Sequence, residues 1–126
     1  MFDPDKYRSV TWLKGGRVFP QLDCFGVVLE VRKDLKMNEW PEFTGITRDD
    51  GGLDKEAKRF NLSLLQCDPL PGAVAECYTG SSVTHLGVVV SIDNQLFVVD
   101  CNPRSNVTFC PIERFKRRYV KVEFWQ

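Results

Sequence analysis

The sequence predicts an α+β domain in which N-terminal helices pack on an antiparallel β-sheet. Three observations carry that prediction. Apolar residues recur at helical spacing in two segments of the first half of the chain. After Pro69 the pattern changes to short apolar or alternating runs punctuated by Gly, Pro, Asn and Asp. The chain has 126 residues, 43% of them hydrophobic, which suits one core and a single domain over 1–126. Helices first and strands afterwards is the α+β order.

Each element has its own signal. Residues 1–22 read as irregular, because Gly15-Gly16 and then Pro20 interrupt any regular pattern. Asp23 reads as the N-cap of a helix expected over 24–36, with Phe25, Val28, Val31 and Leu35 inward and Glu30, Arg32, Lys33 and Asp34 outward. Residues 37–52, containing Trp40-Pro41 and Asp49-Asp50-Gly51-Gly52, read as a long surface connection. A second helix is expected over 53–66, with Leu53, Ala57, Phe60 and Leu64 on one face and Asp54, Lys55, Lys58 and Arg59 on the other.

The β half follows a turn at 69–72. A short strand is expected over 73–78, a loop at 80–82 and a strongly apolar strand over 84–92. Asp93-Asn94 reads as a hairpin turn and 95–101 as the partner strand. After a turn at 102–106 come a strand over 107–110, a helical turn started by Pro111, and a last alternating strand over 118–125.

Composition excludes several classes. Lys+Arg and Asp+Glu number 17 each, so charge makes no case for nucleic acid or an anionic membrane as partner. The local run Lys116-Arg117-Arg118 reads as a solvated helix end. No apolar run has the length of a membrane span. The N-terminus lacks the basic and apolar regions of a signal peptide, so the expectation is synthesis and retention in the cytoplasm, unless the chain leaves by assembly or lysis. The five cysteines (Cys24, Cys67, Cys77, Cys101 and Cys110) are irregularly spaced, without a Cys-x-x-Cys pair, and there is one histidine. Reduced thiols, no metal and no organic cofactor are expected.

Chemistry concentrates on Asp23-Cys24-Phe25-Gly26. A cysteine in the first turn of a helix sits among unsatisfied N–H groups and the positive end of the dipole, which favours the thiolate. Its backbone N–H is placed to donate to a developing oxyanion. Gly26 is expected to leave one side of the turn open to substrate. His85 opens the apolar strand, with Gly87 on the same face keeping space beside the imidazole. A neutral imidazole beside a primed thiol is a general-base arrangement, and a buried histidine bonded to backbone is the structural alternative. On the neighbouring strand Asp100 shares a face with Val98 and needs a partner, which His85 would supply unless the strand has simply ended there. Asn102 follows as the other candidate for the orienting residue.

These residues together resemble the NlpC-type cysteine peptidases, cell-wall endopeptidases with a compact papain-like fold. Trp12, Gly15-Gly16 and Asp23-Cys24-Phe25-Gly26 are similar to that family's aromatic, Gly-Gly and Asp-Cys-x-Gly motif; Pro71-Gly72-Ala73 to its Pro-Gly-Asp turn; His85-Leu86-Gly87 to its His-x-Gly strand. The resemblance runs from about Tyr7 to Trp125 and is nearest the phage tail-assembly branch, through Phe25, the Trp40-Pro41-Glu42-Phe43 loop and the basic approach to the last strand. It implies a thiol endopeptidase acting on peptidoglycan stem peptides in a phage or prophage tail-tip system, with tail-tip proteins as partners. It implies Cys24 as nucleophile, His85 as base and Asp100 as orienting residue, with Trp12, Asp23, Phe25, Gly26 and Gly87 around the cleft.

The departures are specific. Trp12 lacks the hydroxyl of the family's usual Tyr. Phe25 replaces a small residue, Ala73 replaces an Asp, and Asp100 stands where His, Asn or Gln is commoner. They motivate the alternative of a tail-assembly or binding protein that keeps the fold without turnover.

Overall fold

Asp3 starts the folded chain by capping a short 3₁₀ helix, Pro4–Ser9: its carboxylate accepts the Asp5 N–H at 3.0 Å, and Pro4 supplies a helical φ. The computed structural model describes residues 2–47 and 51–126, so the Asp49-Asp50 part of the expected connection lies outside the described residues. Three two-residue strands follow, β1 (Thr11–Trp12), β2 (Arg17–Val18) and β3 (Gln21–Leu22), forming a small sheet in the order β1-β3-β2. The first 22 residues are therefore more regular than their Gly and Pro content predicts.

Helix α1 (Cys24–Asp34) begins where expected, because Asp23 is extended and its side chain accepts the Gly26 N–H at 2.8 Å. Helix α2 (Gly52–Phe60) is shorter than expected. The chain tightens into a 3₁₀ turn, Asn61–Ser63, and then extends as strand β4 (Gln66–Cys67). The apolar residues that continued the helical pattern do not make a core face: Leu62 is 89% and Leu65 is 72% exposed. Backbone pairing wins instead, with Leu65 exchanging N–H···O bonds with Gln126 at 2.8 and 2.9 Å.

The remaining strands are β5 (Val74–Thr79), β6 (Ser82–Ile92), β7 (Gln95–Asn102), β8 (Asn106–Pro111) and β9 (Lys121–Trp125). They join β4 in a six-stranded antiparallel sheet of order β4-β9-β5-β6-β7-β8. β6 starts at Ser82, inside the expected loop, and β9 starts three residues late. Arg118 is still bonded back to Phe115 O in the turn that ends helix α3 (Ile112–Lys116). Asp93 and Asn94 have φ of 52° and 65°, the left-handed pair a two-residue hairpin needs.

The sheet separates two cores. On one face Val27, Val28 and Val31 of α1 and Leu53 of α2 pack against Val74, Leu86, Val88, Val90 and Val99. On the other, Ile112 and Phe115 of α3 pack against Ala75, Val89, Val98 and Phe124. The molecule is thus α+β, with helices on both faces of a mainly antiparallel structure. No helix among the described residues is long and apolar enough to cross a membrane.

One outward assignment on α1 is overturned. Arg32 is buried, donates to Gly72 O at 2.7 Å and Asn38 O at 3.2 Å, and stacks over Trp40 at 4.1 Å. An arginine on the rim of an apolar face lays its stem along the core and finds carbonyls for its head. Burial lowers its pKa from the ordinary value.

Candidate active site

The β6–β7 ladder runs from Ile92↔Gln95 to Val88↔Val99. Beyond that last pair, side chains hold the two strands together. His85 and Asp100 follow Val89 and Val98 along the two-residue alternation, on the α3 side of the sheet. His85 Nε2 lies 2.9 Å from Asp100 Oδ2. Gly87 makes this possible differently from expectation. Its missing side chain does not leave free space beside the imidazole: a Cβ would strike the Val98 side chain and come within 3.6 Å of Asp100 Cβ. Glycine here lets β7 come close enough for Asp100 to reach β6.

Asp100 is held on both oxygens. Oδ1 accepts from Thr108 Oγ1 at 2.6 Å; Oδ2 also accepts from Asn102 Nδ2 at 3.2 Å and faces Arg118 Nη2 at 3.7 Å. Of the two candidates for orienting the imidazole, Asp100 touches His85 and Asn102 touches Asp100. Burial alone would raise the carboxyl's pKa, but the hydrogen bonds from His85 and Thr108 and the charges of His85 and Arg118 lower it.

The imidazole reflects the same balance. Burial alone would lower the His85 pKa; the hydrogen bond to Asp100 and the interaction with Cys24 outweigh it and raise the pKa to about 9. Nε2 faces a carboxylate, which can only accept, so Nε2–H donates to Asp100. Nδ1 is the nitrogen left for the thiol. It is buried and makes no hydrogen bond of regular geometry, while Cys24 is near enough to the ring to raise its pKa. Tyr119 stacks on the imidazole with centroids 6.1 Å apart, and Arg118 lies over the Phe115 and Tyr119 rings.

Cys24 reaches this pair from the first turn of α1, where its own N–H has no intrahelical acceptor. Gly26 is required by packing: a Cβ would collide with the Gly16 carbonyl and crowd Leu22, so the glycine brings β2 against the helix and does not open a path to substrate. Asp23, besides capping, is paired at 2.7 Å with Arg17, both side chains being nearly buried. Arg17 then donates to the carbonyls of Gly16, Glu42, Phe43 and Ile46. The guanidinium thus ties the cap of the cysteine helix to the connection expected at the surface.

That connection folds inward. Phe43 packs on Phe25 and on Phe60, with centroids 5.5 Å apart in both cases, and Trp40 on Phe60 at 5.0 Å. Phe25 is consequently buried under its own loop. Trp12 is half-buried, and its backbone N–H docks on Asn106 Oδ1 at 2.9 Å. The three candidate side chains are closed off: Cys24 is 6%, His85 3% and Asp100 0% exposed.

Four contributors escaped the sequence reading. Thr108 lies opposite Asp100 in the β7–β8 ladder and was findable by counting back from the 102–106 turn. Arg17, Arg118 and Tyr119 carry no local signal; tertiary packing alone places them. No family model matches the chain, and no curated protein is significantly similar to it.

Proposed function

We propose that this protein is a cysteine peptidase of the NlpC type, with a papain-like domain and Cys24, His85 and Asp100 as its catalytic residues. The observation that carries the reading is the Asp100–His85 contact at 2.9 Å, with Cys24 near enough to raise the pKa of the imidazole. In this scheme the thiol proton resides on Nδ1 and the thiolate attacks an amide carbonyl. The oxyanion forms beside the Cys24 N–H, because the Gly26 N–H is already taken by Asp23. Imidazolium passes its proton to the leaving amine as the C–N bond breaks. Neutral imidazole then deprotonates a water that hydrolyses the thioester and regenerates the thiol. The family resemblance supplies the substrate class: a peptidoglycan stem-peptide amide, cut within a phage or prophage tail-tip system.

Two measurements test it: alkylation of Cys24 by iodoacetamide from acid to neutral pH, and release of fragments from purified stem peptides. Alkylation of Cys24 faster than that of the other four thiols, with hydrolysis abolished in Cys24→Ala, is the expected outcome. Alkylation of Cys24 no faster than that of the other thiols, without hydrolysis, overturns it.

The closed site favours a second reading, a tail-assembly or binding protein without turnover. It predicts that Cys24→Ala leaves tail assembly intact while changes in residues 40–43 disrupt it. Normal tails with infectivity lost in Cys24→Ala would exclude this reading.

A further inference from the structure

The turn joining α3 to β9 covers the His85–Asp100 pair: Tyr119 stacks on the imidazole and Arg118 faces the carboxylate. Arg118 carries positive charge from that buried pair out to solvent, its side chain being 42% exposed. Asp100 does not use up the guanidinium. Its two oxygens already accept from His85 at 2.9 Å, Asn102 at 3.2 Å and Thr108 at 2.6 Å. Arg118 Nη2 stands off at 3.7 Å, too far for a hydrogen bond.

The guanidinium is nevertheless held in place. It lies over the rings of Phe115, which is fully buried, and Tyr119, at 5.2 and 5.7 Å. Its backbone N–H donates to Phe115 O at 3.1 Å, which fixes the turn. Rings beneath an arginine preset its planar fork, and that fork matches the two oxygens of a carboxylate. The surroundings have one sign. Residues 113–121 hold Arg114, Lys116, Arg117, Arg118 and Lys121 against Glu113 alone, in a chain without net charge. Lys121 is matched by Glu123 at 3.7 Å. Lys116 reaches Glu113 only at 3.9 Å with both side chains exposed, a contact that neutralises little in water. Arg114 and Arg117 are exposed and pair with no carboxylate among the described residues.

We propose that Arg118 is a specificity-determining residue, whose free edge receives a carboxylate flanking the scissile amide of the peptide substrate. The inference rests on the peptidase reading and adds the charge of its substrate. A carboxylate arriving there meets a guanidinium already oriented by packing, so little side-chain freedom is lost on binding. Asp100 keeps its three hydrogen bonds, because none of them comes from Arg118. The neighbouring cations on the turn add attraction at longer range, which salt screens.

The test titrates the full chain carrying Cys24→Ala with two peptides, followed by NMR at the His85 imidazole. One is L-alanyl-γ-D-glutamyl-L-lysine amide, whose only carboxylate flanks the γ-linked amide; the other carries a carboxamide in its place. The carboxylate peptide should bind about tenfold tighter. Adding Arg118→Gln should abolish that preference, and Arg118→Lys should restore part of it. The ratio isolates the carboxylate, since a disturbed Asp100 would weaken both peptides alike. Equal affinities in the Arg118-intact chain, or a full preference in Arg118→Gln, overturn the proposal and leave the peptidase reading standing. No saturable binding of either peptide overturns the proposal and counts against the peptidase reading as well. Should Arg118→Gln not fold, the Arg118-intact ratio and Arg118→Lys decide.

Discussion

Asp100 orients the imidazole while being oriented itself by Thr108, Asn102 and Arg118. Replacing it with Asn preserves volume and removes the charge that opposes desolvation of His85. The prediction is that Asp100→Asn drops the His85 pKa from about 9 by well over one unit. His85 is the chain's one histidine, so a single imidazole resonance reports it without assignment. Hydrolysis should fall roughly 10²- to 10⁴-fold, because an amide in this place favours the wrong tautomer. An unchanged midpoint would remove Asp100 from its role. Thr108→Val probes the same unit one step further out: its pKa effect should have the same sign and be smaller, since Thr108 touches only the oxygen that does not meet the ring.

The start of α1 depends on elements distant in sequence. Breaking the nearly buried Arg17–Asp23 pair with Arg17→Met should cost roughly 3 kcal/mol in urea unfolding, because Asp23 keeps its charge and loses its partner. The same change removes the donors to Glu42, Phe43 and Ile46, so Phe43 is no longer held on Phe25. Cys24 should then react several-fold faster with a bulky aromatic disulfide, while the smaller iodoacetamide gains less. Equal acceleration for both reagents would mean that the loop does not guard the thiol. This geometry also shows which elements the sequence disclosed. The Asp23 cap, the Asp93-Asn94 hairpin and the alternation placing His85 and Asp100 on one face are local patterns, and they were legible. The end of α2, the late start of β9, the buried Arg32 and the Arg17 clamp were not. For α2, Arg32 and Arg17 a backbone partner or a carbonyl far along the chain overrides a local preference; β9 starts late because Arg118 still bonds back to Phe115 in the turn after α3. Gly26 and Gly87 were noticed for the right positions and the wrong reason, since sequence cannot show that close backbone approach claims the space.

For the molecule as a whole, His85 and Glu76 together set how stability varies with pH. The formal net charge is zero at neutral pH, so general charge repulsion contributes little near neutrality. Both groups bind protons more tightly when folded: Glu76 moves from 4.5 to about 7 and His85 from 6.5 to about 9. Wherever the folded state holds more protons than the unfolded one, stability falls as pH rises. Glu76 therefore erodes stability between its unfolded and folded values, by at most about 3 kcal/mol. The His85 contribution is fully present below pH 6.5 and is lost as pH passes about 9. Asp100 acts oppositely: its pKa is lowered from 3.8, so its contribution is present above that value and disappears only as pH falls through the lower folded one. Urea unfolding of the wild-type chain should show stability declining from about pH 5 to about pH 9. Glu76→Gln should flatten the acidic part of that decline and be more stable than wild type above neutrality, while matching it near pH 5. Asp100→Asn should flatten the alkaline part. If wild-type stability instead rises toward pH 8, or Glu76→Gln keeps the full acidic slope, then Glu76 is ionised at little cost in the folded chain.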